Sequence, residues 1–305
     1  MTRRVEVAVI GCGRMGVHHA RVIAHHPKCR LVAVVDAVEA HARAVAIRHG
    51  AEARPDVPEG VEAVVVATPT ITHAAVALGH LSAGRWCLVE KPLTASASEA
   101  ATLNHPRLVM GHVERFNPAI RAAGTLKPRF VTSRRLVPFE ARSADVCVVK
   151  DLMVHDLDLL LHWSEGEVER VDAMGVAVRT EDIDVASVQL RTTDGMQAHL
   201  FASRVAEVPE RLTRVYEEER TTDLDLLART ACRGTTVMPS ADDRDGLTAQ
   251  WDAFVDAVCG TGPVAVTARD GWRSVALAER IRAVMTEGDE ALGLAGRAPP
   301  RIAEA

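Results

Sequence analysis

The rhythm of apolar and polar positions along this chain changes near residue 111. Before it, residues 5–10, 31–35, 61–67 and 86–90 form short apolar runs that read as strands. Residues 17–26, 37–49 and 73–84 lie between them with helical patterns. Unbroken apolar runs suit parallel strands covered on both faces, and strand–helix alternation predicts a doubly wound α/β sheet. Residues 97–103 read as a short helix and 108–111 as a short strand. Beyond them, 149–163 reads as a helix, and 168–178, 185–191, 196–203 and 212–217 alternate with period two, Thr193-Asp194-Gly195 forming a hairpin turn. Helices at 247–258 and 271–285 close the pattern. The expectation is an α/β dinucleotide-binding domain over residues 1–112, an α+β domain with a large, mostly antiparallel open-faced sheet over 113–295, and a loose tail at 296–305.

Composition narrows the setting. The 305 residues are enough for two cores, and 48% hydrophobic against 25% charged residues is the balance of a globular protein. A net charge of −5 argues against a nucleic-acid or anionic-membrane partner. No apolar run approaches the ~20 residues of a membrane helix. The segment Met1-Thr2-Arg3-Arg4 leads into a strand with no apolar signal region. Six cysteines, at 12, 29, 87, 147, 232 and 259, form no CxxC pair. Reduced thiols in a cytoplasmic protein, four or five of them ordinary core residues, is the simplest reading.

Gly11-Cys12-Gly13-Arg14-Met15-Gly16 lies between the first strand and the first helix. Glycines there allow a tight turn, close approach of a pyrophosphate and close helix–strand packing, while the helix N-terminus offers N–H groups to phosphate. Asp36 ends the next strand, 20 residues after Gly16. A carboxylate at that place accepts hydrogen bonds from ribose hydroxyls and repels a 2′-phosphate, favouring NAD over NADP; Arg14 would admit some NADP.

Glu90-Lys91-Pro92 follows the fourth long strand, at the end where open α/β sheets bind ligands. Read alone, a lysine before a proline is more often a solvated surface residue. Asp151, His155, Asp158 and His162 change the weighing: spaced i, i+4, i+7 and i+11, they fall on one helix face, while Leu152, Leu159 and Leu160 lie elsewhere to anchor the helix. His155 suits a general base, with Asp151 to orient it. The plain alternative is a surface stripe. A metal site is disfavoured because His162 is too far from His155 to share an ion.

Together these residues resemble the glucose–fructose oxidoreductase/inositol dehydrogenase (Gfo/Idh/MocA) family, through Gly11/Gly13/Gly16, Glu90-Lys91-Pro92, Asp151 with His155, and the strand-end loop Thr68-Pro69-Thr70-Ile71-Thr72-His73. Gly111-His112-Val113-Glu114-Arg115-Phe116-Asn117-Pro118-Ala119, with Arg142-Ser143-Ala144-Asp145-Val146 and Ala202-Ser203-Arg204-Val205, is similar to a signature of bacterial UDP-N-acetylglucosamine 3-dehydrogenases and their uronic-acid relatives.

The resemblance implies a Rossmann domain holding NAD on the glycine loop, on Asp36, on Thr68, Pro69, Ile71 and His73, and near Glu90, Lys91 and Asn117. It implies that His155 and Lys91 meet the 3-hydroxyl of a nucleotide sugar, that Arg115 and Asn117 line nicotinamide or sugar, and that Arg204 meets a diphosphate. An arginine in a strand repeat is also, and more often, an ion-pair partner. A 3-keto product would feed a pyridoxal-phosphate aminotransferase, and the resemblance implies a homodimer or homotetramer. The alternatives are another sugar or cyclitol dehydrogenase of the family, or a non-catalytic NAD- or sugar-responsive module. Two departures stand out. The stretch from Pro92 to Gly111 is short, as if a helix and part of a strand were trimmed, and Lys150 stands where relatives carry an apolar residue.

Overall fold

Six parallel strands form the first sheet: β1 (Val5–Ile10), β2 (Cys29–Val35), β3 (Glu52–Ala53), β4 (Ala63–Val66), β5 (Trp86–Glu90) and β6 (Leu108–Gly111), in the order β3-β2-β1-β4-β5-β6. The structure, a computed structural model, describes residues 3–140, 146–240 and 244–291, the side chains of 288–291 excepted. Period-two alternation splits β1 between two cores. Val5, Val7 and Val9 join Ala20, Val22 and Ile23 of α1 (Arg14–His25) and Ala42, Val45 and Ala46 of α2 (Glu39–His49). Ala8 and Ile10 join Ala74, Ala77 and Leu81 of α3 (His73–Ser82) and Ala100 of α4 (Ala97–Ala101). Apolar residues on both faces of every long strand are what a sheet with helices on both sides requires. The short link after Pro92 holds the five-residue helix α4 and leads into β6, which pairs with β5 in register Glu90↔Gly111.

The second sheet has eight strands: β7 (Phe130–Leu136), β8 (Val168–Val176), β9 (Val185–Thr192), β10 (Gln197–Ser203), β11 (Glu210–Tyr216), β12 (Thr221–Asp225), β13 (Thr230–Arg233) and β14 (Thr236–Val237). Their order is β14-β13-β12-β11-β7-β10-β9-β8, antiparallel throughout except for the β7–β10 pair. One face is covered. Ala119, Ile120 and Ala123 of α5 (Pro118–Ala123) pack on Val215, Leu224 and Ala231, and Leu157, Leu160 and Leu161 of α6 (Val154–Trp163) pack on Val131, Val188, Leu190 and Leu200. On the other face Phe130, Leu212 and Tyr216 remain exposed. Gly195, at φ +88°, closes the β9–β10 hairpin, its N–H donating to Thr192 O.

Two helices, α7 (Gly246–Val258) and α8 (Ala268–Ala291), end the described chain. The chain divides into one unit of Met1–Phe116 with Arg244–Val275 and another of Asn117–Asp243 with Ala276–Ala305. The expected boundaries gave residues 113 to 295 to the second domain; by its contacts 244–275 groups with the first unit. Leu247, Trp251, Phe254 and Val255 of α7 belong to the α1 side of the first core. Val266 accepts from the Met110 N–H, and Thr267 bridges Val109, so the returning chain covers the open edge of β6. An uncovered edge would leave strand N–H and C=O groups unpaired. Later in the chain, Leu277, Ala278, Ile281 and Met285 of α8 join the core of the second unit. Four cysteines (12, 29, 87, 147) are buried and Cys259 is exposed. Among the described residues no helix is long and apolar enough to cross a membrane.

Candidate active site

The strand order reverses between β1 and β4, both of which start from the middle of the sheet and lead to opposite sides. Ligands of open α/β sheets bind at the carboxyl ends of strands at such a point. Two glycines make the β1 turn possible. Gly11 has φ +94°, and a Cβ there would fall 2.5 Å from Ala67 O; a Cβ on Gly16 would fall 1.8 Å from Gly11 O. Gly13, between them, faces open space and is exposed with Arg14, while Met15 is half-buried. No side chain caps the N-terminus of α1, so its first N–H groups and dipole stay available to an anion.

Asp36 stands at the end of β2 and fixes the loop from outside. Its Oδ2 accepts from the Cys12 N–H at 2.6 Å and its Oδ1 from the Val38 N–H at 2.8 Å. A carboxylate has about four acceptor sites, so ribose hydroxyls still find room. Burial, with the neighbouring Asp36 charge adding to it, pushes the Cys12 thiol up to about 12. The cysteine is thus a neutral filler whose backbone serves the loop.

The loop after β4 is tied to the segment after β5. His73 is fully buried, its Nε2 2.9 Å from Thr68 O and its Nδ1 3.0 Å from Pro92 O. Both ring nitrogens thus face carbonyls of the protein, and the ring ties the two loops together. Thr68 is further held by the Thr72 hydroxyl at 2.8 Å. Pro69 is exposed, and Ile71 is 76% exposed, a bare apolar side chain on the loop that leaves β4.

Glu90 ends β5 as a buried carboxylate, its Oε1 2.8 Å from His19 Nε2 and its Oε2 accepting from the Lys91 N–H at 3.2 Å. Burial would raise its pKa, but the His19 hydrogen bond and the nearby Lys91 charge outweigh that and hold it below the ordinary range. Lys91 follows, half-buried, before a cis bond to Pro92. Arg115 pairs with Asp270 at 3.1 Å. Burial opposes the charge on Asp270, yet Arg115 and the hydrogen bonds from Thr267 bring its pKa down.

In the second unit, Asp151 lies in a π-helical turn, Val149–Met153, and His155 in the first turn of α6. Both are half-buried. The expected single stripe does not continue: Asp158 is buried and His162 is exposed. A π-turn takes about one more residue than an α-turn, so spacing counted on 3.6 residues loses its register across 149–153. Lys150 directs its ammonium to Glu279 at 3.5 Å.

Two other expected ligand contacts are occupied by protein. Asn117 caps α5, accepting from the Ala119 N–H at 3.0 Å and donating to Leu226 O at 2.9 Å. Arg204 is 2% exposed, its guanidinium 3.3 Å from Asp184 and donating to the carbonyls of Val146 and Ile183. These contacts fit the ion-pair reading of Arg204. Arg142 to Asp145 of the similar stretch lie outside the described residues.

The motifs of the sequence do not single out His19 or Trp251. A signal existed: Gly16, His19, Ala20 and Ile23 share the buried i, i+3, i+4, i+7 face of α1, and a polar ring on such a face needs a buried partner.

Comparison with known proteins identifies the family. Residues 5–105 match the model of the oxidoreductase family with an NAD-binding Rossmann fold, and residues 127–221 match the GFO/IDH/MocA C-terminal domain. A UDP-N-acetylglucosamine 3-dehydrogenase from Acidithiobacillus ferrooxidans is 36% identical over 303 residues, covering 91% of this chain and 96% of that protein. The chain belongs to the Gfo/Idh/MocA oxidoreductase family. The crystal structure of the Acidithiobacillus enzyme superposes with a TM-score of 0.86 over 92% of this chain and 98% of that one. An inositol 2-dehydrogenase from Rhizobium meliloti is 30% identical, covering 66% of this chain and 69% of that protein. GenD2 from gentamicin A biosynthesis, solved in complex with NAD, is 25% identical with a TM-score of 0.81, covering 94% of this chain and 96% of that one.

As a member of this family the chain is an oxidoreductase with NAD as cofactor, and the turn at Gly11, the open Gly13, the uncapped α1 and the carboxylate of Asp36 fit that group. Asp36→Ala should weaken NADH binding roughly 10- to 100-fold, the equivalent of lost charge-assisted hydrogen bonds worth ~1.5–3 kcal/mol. It should weaken NADPH binding less. Fluorescence titration with both nucleotides checks this; an equal loss for the two would remove Asp36 from the ribose site.

Proposed function

We propose that this chain oxidises the 3-hydroxyl of a UDP-linked N-acetylhexosamine, UDP-N-acetylglucosamine or its uronic acid, to the 3-keto sugar. The observation that carries the reading is the 36% identity with the Acidithiobacillus enzyme across 91% of this chain, in a sequence that has its own Lys91, Asp151 and His155. NAD, when bound, supplies the hydride acceptor. His155 takes the hydroxyl proton through its imidazole, the side chain whose ordinary titration lies nearest neutrality. Asp151, one turn earlier, orients that ring. Lys91 hydrogen-bonds the same oxygen through its ammonium and stabilises charge developing on it. Glycine-loop and helix N–H groups, with Asp36, hold and orient the cofactor.

Further parts of the reading follow from this chemistry. A 3-ketone is the substrate class of a pyridoxal-phosphate aminotransferase, which would give a 3-amino sugar. The exposed Phe130, Leu212 and Tyr216 on the outer face of the second sheet support a homodimer or homotetramer. Cysteines without a disulfide among the described residues support a cytoplasmic setting.

The test is incubation of the enzyme with NAD, UDP-N-acetylglucosamine and an excess of an oxo-acid acceptor, with NMR of the sugar to locate a new ketone. A ketone at C3 is expected. Turnover of free sugars or cyclitols with none of any UDP-hexosamine would overturn the substrate assignment and favour the activity named for the inositol 2-dehydrogenase relative.

A further inference from the structure

Behind Lys91 lies a buried polar chain for which the reaction just proposed has no direct use. Trp251 of α7 donates its indole N–H to His19 Nδ1 at 3.0 Å. An indole nitrogen is only a donor, so Nδ1 must accept. The ring proton then sits on Nε2, which donates to Glu90 Oε1 at 2.8 Å. The other oxygen of Glu90 accepts from the Lys91 N–H. His19 and Trp251 are fully buried and Glu90 is 6% exposed. Gly111, opposite Glu90 in the sheet, leaves room for this carboxylate: a Cβ there would fall 3.1 Å from Oε1.

Burying a carboxylate and an imidazole in a core of small aliphatic residues is costly unless every partner is in place, and an apolar set of equal volume is often as stable or more so. The chain ends at the backbone N–H of the one lysine at this strand end. A lysine has four rotatable bonds and loses much freedom when placed, so fixing the peptide it stands on narrows where its ammonium reaches. We propose that His19, its tautomer set by Trp251, is a positioning residue that acts through Glu90 to aim Lys91 at the reacting oxygen. His19 touches neither substrate nor cofactor in this role. The proposal rests on the reading of Lys91 as a catalytic group.

The test compares His19→Leu, His19→Gln, Trp251→Phe, Lys91→Ala and the His19→Leu/Lys91→Ala double variant, with kcat, KM and the NADH dissociation constant measured for each. A misplacement of about 1 Å can cost ~10²-fold in rate. His19→Leu should therefore lower kcat roughly 10- to 100-fold, with NADH affinity within about twofold of the parent. His19→Gln, which keeps an N–H donor for Glu90, should recover most of that loss. In the Lys91→Ala background the same His19→Leu change should cost less than about twofold, since neighbours acting as one unit are not additive. Should His19→Leu fail to fold, Trp251→Phe removes only the indole donor and its contact, and should lower kcat with NADH affinity kept. Unchanged kcat in the foldable variants, a Gln variant no better than Leu, or equal losses in both backgrounds would overturn the positioning role while leaving Lys91 in place. Full activity of Lys91→Ala would instead overturn the reading of Lys91, and the positioning role with it.

Discussion

His155→Ala should lower kcat by roughly 10²- to 10⁴-fold, the usual contribution of a positioned general base, while NADH still binds with its normal affinity. The residue sits in the first turn of α6 in the second unit, half-buried and one turn after Asp151. The glycine loop and Asp36 belong to the first unit. Loss of the imidazole therefore separates proton removal from cofactor binding. Lys91→Ala should produce a loss of similar order, because an ammonium on the developing oxyanion acts only as charge appears. Its signature is a fall in kcat with little change in the KM for sugar. Steady-state kinetics on the UDP-sugar, with NADH titration of each variant, checks both. Near-parental turnover in both would remove His155 and Lys91 from the catalytic machinery and overturn this reading of the site.

The first sheet was legible because its local and long-range demands agree. Valine-rich runs with period-two burial on two cores can hardly be anything but parallel strands, and the glycine turn follows the first of them. The residues at strand ends were legible for the same reason: Asp36 and Lys91 stand where the chain leaves a predicted strand. The central strand of the second sheet was not. β7 carries Arg134 and Arg135, and of these Arg135 points inward, so its polar alternation conceals a buried face. The role of α7 was hidden as well. Its apolar face packs in the first core, far along the sequence from the strands it covers. The histidines divided in an instructive way. His155 announced itself by a carboxylate four residues earlier, whereas His19 and His73 act through partners distant in sequence, Trp251 and Pro92. A π-turn at Val149–Met153 is equally invisible to a count based on 3.6 residues, and it shifts Asp151 relative to the residues of α6.

Removing one member of the Arg135–Asp156 pair should destabilise the protein by ~3–5 kcal/mol, the typical cost of an uncompensated buried charge. Arg135 is 2% and Asp156 4% exposed. The guanidinium is forked onto the carboxylate, Nε at 2.8 Å from Oδ2 and Nη2 at 3.0 Å from Oδ1. Ser133 donates to the same Oδ1 at 3.0 Å. The pair joins β7 to α6 immediately beside His155. Asp156→Ala would strip a buried guanidinium of the carboxylate it forks onto, and Arg135→Ala the reverse. The double variant Arg135→Met/Asp156→Leu removes both charges and keeps apolar volume, so it should regain most of the lost stability, as replaced buried pairs commonly do. The surface pair Arg170–Asp172 is a fair control: both side chains are more than half exposed, and Arg170→Ala should change little. Urea unfolding of the four proteins gives the comparison. If the double variant regains stability but not kcat, with NADH affinity unchanged throughout, then the ion pair holds α6 and His155 in register on β7 rather than holding the unit together. Equal recovery of both would assign it to stability alone.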